Sequence, residues 1–202
     1  MKIDLFLLVN QTLNAVVQVL LFAAVPFFWW LVTARKKETF AAWLGFKKPG
    51  RPGLPALAAG CFVLLFAAGQ LALLLRGDMA AADSAYKGMG LAAVPAILVY
   101  AFGQTALSEE ILFRGFLMKR LQARWGFAAA AAVQAVIFGA LHLLMVWGQT
   151  DLLSGTVIVV YPALAAVVLC WINEKKANGS IYPSWILHGL LNAVSGILQA
   201  LQ

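Results

Sequence analysis

Charge is scarce in this chain. Only 11% of its 202 residues are Asp, Glu, Lys or Arg, where a soluble domain carries about 25%. Too few charges remain to cover a surface that faces water on all sides. Cysteine and histidine are scarcer still, with two of each. Cys61 and Cys170 both stand inside apolar runs. Neither has CxxC spacing or a histidine nearby at zinc-ligand spacing, so each reads as a small buried hydrophobe. A clear signal peptide is missing too. Only Lys2 precedes the first apolar stretch, Asn10, Gln11 and Asn14 interrupt it, and no small-residue cleavage site follows.

What the chain has is apolar length. Hydrophobic residues make up 63% of the sequence, which points to lipid as the solvent. The length suits a single domain over 1–202 and leaves room for several spans of roughly 20 residues. A net charge of +7 would suit nucleic acid, but the basic residues gather in short gaps between apolar runs, as in the cytoplasmic loops of membrane proteins. With no aromatic-interleaved basic face, nucleic acid is excluded as a partner and the bilayer takes its place.

Six apolar segments are expected to be helices: 5–32 (or 13–32, the first half being polar), 54–75, 91–117, 127–147, 155–172 and 182–201. Open strands cannot cross hydrocarbon, and no segment alternates as a transmembrane barrel strand does. The fold expected is an all-α, polytopic membrane bundle of about six transmembrane helices. Eleven basic residues (Arg35, Lys36, Lys37, Lys47, Lys48, Arg51, Lys119, Arg120, Arg124, Lys175 and Lys176) fall on one side of this arrangement. Three (Lys2, Arg76 and Lys87) fall on the other. The bias places the basic loops in the cytoplasm and both termini outside. Pro49-Gly50-Arg51-Pro52-Gly53 reads as a rigid connector and Asn178-Gly179 as a tight turn. No repeat and no inverted pair of broken helices is visible.

Five ionisable residues fall inside these segments. Glu109, Glu110 and Arg114 share the third, where each charge costs roughly 2.5–3.5 kcal/mol at mid-membrane. Glu110 and Arg114, four apart with the acid first, are placed to pair on one helix face. Glu109, rotated about 100° from its neighbour, has no local partner. A structural ion pair therefore accounts for Glu110 and Arg114 but leaves Glu109 over, and a carboxyl shielded from water suits a general base. The two histidines, His142 and His188, lie in later segments, and Asn192 follows His188 on the same face. Acids and imidazoles together can activate water and stabilise an oxyanion. Measured from the cytoplasmic helix ends, Glu109 lies ~15 Å deep, His188 ~9 Å and His142 ~22 Å, so convergence requires staggered helices. Gln104 and Ser108, on the face of the glutamate helix, read as helix–helix contacts. Trp29, Trp30, Trp147, Trp171 and Trp185 read as an interfacial belt, and Gly139 and Gly189 as points of close helix approach.

In order along the chain, Glu109-Glu110-x-x-x-Arg114, Phe138-x-x-x-His142 and His188-x-x-x-Asn192 resemble the three motifs of the CPBP family, the CAAX protease and bacteriocin-processing enzymes also called the ABI family. The resemblance covers about 91–201, the expected catalytic core, and leaves 1–90 as N-terminal helices. It implies a glutamate-dependent intramembrane endopeptidase without a cofactor. In that likeness Glu109 and His142 position and activate the attacking water. His188 and Asn192 stabilise the oxyanion, while Glu110 and Arg114 hold the site together. The implied partner is a membrane-associated peptide or protein, with a C-terminal tail as one option. The compact, Ala-rich chain suggests a bacterial inner membrane.

Three other readings compete. His142, His188 and a glutamate would offer zinc a His2Glu set, although the HExxH helix is absent. A non-catalytic membrane scaffold or an ion pathway would also retain buried Glu and His.

Overall fold

The computed structural model describes residues 3–50, 53–76 and 82–202. Of the residues that bear on the expectations above, Lys2, Arg51 and Pro52 lie outside it. The described residues contain helices and no strand, as expected of a chain that must satisfy its own backbone in lipid. The α-helices are α1 (Leu5–Thr33), α2 (Phe40–Leu44), α3 (Leu54–Arg76), α4 (Val94–Leu98), α5 (Lys119–Met145), α6 (Leu152–Trp171) and α7 (Tyr182–Ala200).

Among the described residues four helices are long and apolar enough to cross a bilayer: Leu5–Thr33, Leu54–Leu75, Gly90–Met145 and Leu152–Lys176. The expected count of about six differs for two physical reasons. First, the third and fourth segments form a run of 56 residues with no loop between them: two helices meet at a break at Gly126, just before the expected start of the fourth segment, and Lys119, Arg120 and Arg124 lie in the helix before that break. At about 1.5 Å per residue such a run far exceeds the ~30 Å hydrocarbon core. It turns at Gly126 (φ 75°, ψ 173°), a backbone conformation open essentially only to glycine. The arms then lie side by side, with Met118 packed with Ala130 and Ala131 and Phe113 meeting the Phe138 ring edge-on at 4.9 Å. Second, α7 carries Ser184, His188, Asn192, Ser195 and Gln199 in 19 residues, and these lower its hydropathy.

Other boundaries follow local chemistry. The first helix starts at Leu5, where the Asp4 carboxylate caps it by accepting from the Leu7 amide at 2.9 Å. Asp151 does the same for α6, accepting from the Leu153 and Ser154 amides and the Ser154 hydroxyl. These bonds hold the Asp151 carboxyl below its ordinary pKa, the hydroxyl contributing most. The α6 helix runs on into a π-helical turn, Ile172–Lys176, and Asn178 (φ 55°) with Gly179 (φ 73°) makes the expected reversal before α7. Cys61 and Cys170 are free and buried.

In the bundle, α6 packs against α5 on one side and α3 on the other, and the helix bearing the glutamates is gripped between α1 and α7. Gly139 lets α5 approach α6 closely, since a Cβ there would lie 2.5 Å from the Val159 carbonyl oxygen and 3.2 Å from the Ala163 methyl. A Gly139→Ala protein should lose about 1–3 kcal/mol of stability, read as a lower melting temperature in detergent micelles.

Candidate active site

Between α4 and α5 the chain leaves α-helical geometry. Val99–Leu107 and Glu110–Met118 are π-helical, joined through Ser108 and Glu109. Such wide turns are rare in long stretches and cluster at functional sites. Their backbone bonding is compensated here by side chains. The Thr105 hydroxyl is 3.1 Å from the Tyr100 carbonyl and 3.0 Å from that of Ala101. The Ser108 hydroxyl bonds to the Gln104 carbonyl, and the Trp185 indole N–H donates to the Phe102 carbonyl at 2.8 Å. Trp185, read from the sequence as part of an interfacial belt, is also a strut between α7 and the glutamate helix. Gly189 lies against the Phe102 ring, where a Cβ would collide.

The side of this helix facing α1 carries a second set of polar contacts. The Tyr86 hydroxyl donates to Gln11 at 2.9 Å, and the Gln11 carboxamide donates to Gln104. Gln104 donates to Gln18 at 3.0 Å and Gln18 to Ser108 at 3.2 Å. Gln104 and Ser108 are therefore helix–helix contacts, as their placement suggested. The same bonds account for Gln11 and Gln18 in α1, whereas Asn10 and Asn14 are exposed and take no part in them.

The other face carries the acids. Glu110 is fully buried and Arg114 is 1% exposed, with Nη1 of the guanidinium 3.3 Å from Oε1 of the carboxylate. The Ser184 hydroxyl donates to Glu110 Oε2. Ser184 is itself held by Asn173, whose Nδ2 donates to its oxygen at 2.6 Å and whose Oδ1 accepts from its backbone amide at 3.2 Å. His188 Nδ1 lies 3.1 Å from Glu110 Oε1. A carboxylate only accepts, so the Nδ1 proton is on His188. The opposite ring nitrogen, Nε2, is 3.7 Å from Glu109 Oε2. Glu109 thus has a partner that helical spacing could not reveal, an imidazole from α7. That distance is beyond a hydrogen bond, and Glu109 Oε2 is buried without a hydrogen-bond partner.

His142 and Asn192 stand at the margins of this group. His142 Nδ1 donates to the Phe138 carbonyl at 2.8 Å, leaving Nε2 as the free ring nitrogen. No hydrogen bond or ion pair among the described residues joins His142 to Glu109. The two histidines instead share the Phe138 ring, 4.6 Å from the His142 centroid and 6.4 Å from that of His188. The Arg114 guanidinium sits over the same ring at 4.6 Å. Asn192, one turn beyond His188, donates from Nδ2 to the Thr105 hydroxyl at 2.8 Å. Among the described residues no three His, Cys, Asp or Glu side chains form a group that could hold a metal ion.

Ser184, Asn173 and Thr105 were missed in the sequence. One signal was available: Ser184, His188 and Asn192 recur every fourth residue and so line one face of α7.

The three motifs that suggested a family all meet at this point, and a family model covers them. The model for the type II CAAX prenyl endopeptidase Rce1-like family matches residues 91–194, just over half the chain. The chain belongs to this family. The Rce1-like family is the CPBP family whose motifs were read above. No curated protein and no solved structure matches the chain. Family membership and four apolar helices make it an integral membrane protease whose substrate is membrane-associated. The matched region starts at Leu91 and so excludes α1 and α3, although α1 is bonded directly to the Rce1-like core through Gln11 and Gln18.

Proposed function

We propose that this Rce1-like protein is a metal-free intramembrane endopeptidase in which Glu109 is the general base. One observation carries the reading: His188 is flanked by carboxylates, Glu110 at Nδ1 and Glu109 at Nε2, and the nearer oxygen of Glu109 has no hydrogen-bond partner. A water accepted there loses a proton to Glu109 as its oxygen attacks the peptide carbonyl carbon. The free Nε2 of His142 orients that water. The developing oxyanion is met by Asn192 Nδ2–H and by His188 Nε2–H, with His188 carrying a proton on both ring nitrogens between its two carboxylates, and such a donor contributes about 100- to 1,000-fold in rate. Collapse breaks the C–N bond, and the amine leaves with the proton held by Glu109. Glu110 and Arg114 touch no substrate; they fix His188 in place.

The same reading takes the basic loops as cytoplasmic and the Gly90–Met145 hairpin and α7 as making up the count to about six spans. The membrane is then a bacterial inner membrane.

The test uses purified protein in lipid nanodiscs with an internally quenched, farnesylated CAAX peptide as probe. Cleavage should survive chelation of divalent metal, and loss of activity restored by zinc would overturn the metal-free mechanism. In parallel, membrane proteomes of cells expressing wild type or Glu109→Ala are compared. New peptide termini should be present with wild type and missing with the variant. Identical termini in both would end the peptidase reading.

A further inference from the structure

We propose that Thr105 is a positioning residue that turns the Asn192 carboxamide so that its N–H groups, and not its oxygen, face the reaction. The inference rests on the reading of Asn192 as an oxyanion donor. An Asn carboxamide has a donor end and an acceptor end, related by a half-turn about one bond. Only the donor end helps an anionic intermediate.

The Thr105 hydroxyl decides between the two ends. Its single proton is directed at the backbone, with the Tyr100 carbonyl 3.1 Å and the Ala101 carbonyl 3.0 Å away. With that proton engaged, Oγ1 can only accept. The group it meets at 2.8 Å must therefore be the Asn192 NH2. One N–H is used by Thr105 and the other N–H of the same nitrogen is left to donate. Both carbonyls lie at the start of the π-helical segment Val99–Leu107, four and five residues before Thr105. The irregular helix and the orientation of Asn192 are thus linked through one hydroxyl. Trp185 holds the same stretch from α7 through the Phe102 carbonyl, so the segment and Asn192 keep a fixed register.

Three variants test this on the farnesylated, quenched CAAX peptide in nanodiscs. Thr105→Val keeps the shape and removes the hydroxyl. It should lower kcat about tenfold, because a misoriented donor is lost for much of the time, and leave KM unchanged. Thr105→Ser restores the hydroxyl and should restore kcat. Thr105→Val combined with Asn192→Ala should be no slower than Asn192→Ala alone. A second readout needs no substrate. The chain has five asparagines, so 15N-asparagine labelling gives five pairs of side-chain amide signals, and that of Asn192 is the pair missing from Asn192→Ala. It should shift and exchange faster in Thr105→Val and return in Thr105→Ser. Full kcat in Thr105→Val, failure of serine to rescue, or an unmoved Asn192 signal would each overturn the proposal. Full activity in Asn192→Ala would instead overturn the oxyanion role on which it rests.

Discussion

A Glu109→Gln protein is expected to fold like wild type and to turn over substrate about a thousandfold more slowly, within the range assigned to a lost general base. Both halves of this expectation come from the same contacts. The side chain is 17% exposed, and among the described residues its one ion-pair partner is the His188 imidazole at 3.7 Å. No hydrogen bond to Oε2 is broken by the change. Glutamine is the same size but cannot take a proton from water, so the chemistry fails while the packing stays. Melting temperature and elution profile in detergent report the fold, and kcat reports the chemistry. A loss of less than about tenfold would move the base to another residue.

Glu110→Ala should do the reverse and destroy the fold first. Removing one member of a buried pair costs roughly 3–5 kcal/mol, because the other charge is left without compensation. Here the abandoned group is Arg114, at 1% exposure. None of its three guanidinium nitrogens has a hydrogen-bond partner. Its remaining support is the face of Phe138. His188 loses its acceptor in the same step, and the Ser184 hydroxyl is left with the Ile181 carbonyl at 3.1 Å. The protein should be recovered in low yield or aggregated on size exclusion. Removing both charges together, as Glu110→Leu with Arg114→Leu, should recover much of the stability, since apolar replacement of a whole buried pair is often neutral. It should not recover activity, because His188 Nδ1 would have no acceptor. A stable single variant, or an active double one, would contradict this account.

These two glutamates also show how much the sequence disclosed. Ionisable residues in lipid are conspicuous because each is costly, so Glu109, Glu110, Arg114 and both histidines stood out. The i,i+4 rule correctly paired Glu110 with Arg114. Partners from other helices could not be read this way, and so Glu109 looked solitary until α7 placed His188 beside it. Thr105, Ser184 and Asn173 escaped notice for a different reason. Uncharged polar groups are common in membrane helices, where they bond to neighbouring helices or carbonyls, and one of them gives no sign of which neighbour it serves.

The architecture was legible to a similar degree. Apolar runs located the helices because lipid admits little else, but π-helical turns leave the run of apolar residues unchanged and were invisible. The charges at Lys119, Arg120 and Arg124 were read as a loop between two helices, yet the helix continues through them. Arg124 is exposed, and the other two are met locally. The Lys119 ammonium is 2.8 Å from Glu174 and 2.7 Å from the Gly179 carbonyl, and Arg120 sits 4.0 Å above the Trp43 ring. The direction of the chain changes only at Gly126.

Among the described residues the hydrogen bonds between α1 and the glutamate helix join three carboxamides and a hydroxyl, with the Tyr86 phenol bonded to Gln11 beside them, and the rest of the contact is apolar packing. None of them titrates near neutral pH, and salt has no net charge there to screen. Acidification or a change in ionic strength that disturbs the carboxylate–imidazole cluster should therefore leave this seam closed, and a reversible loss of activity under either condition would be a local event rather than an unzipping of the bundle.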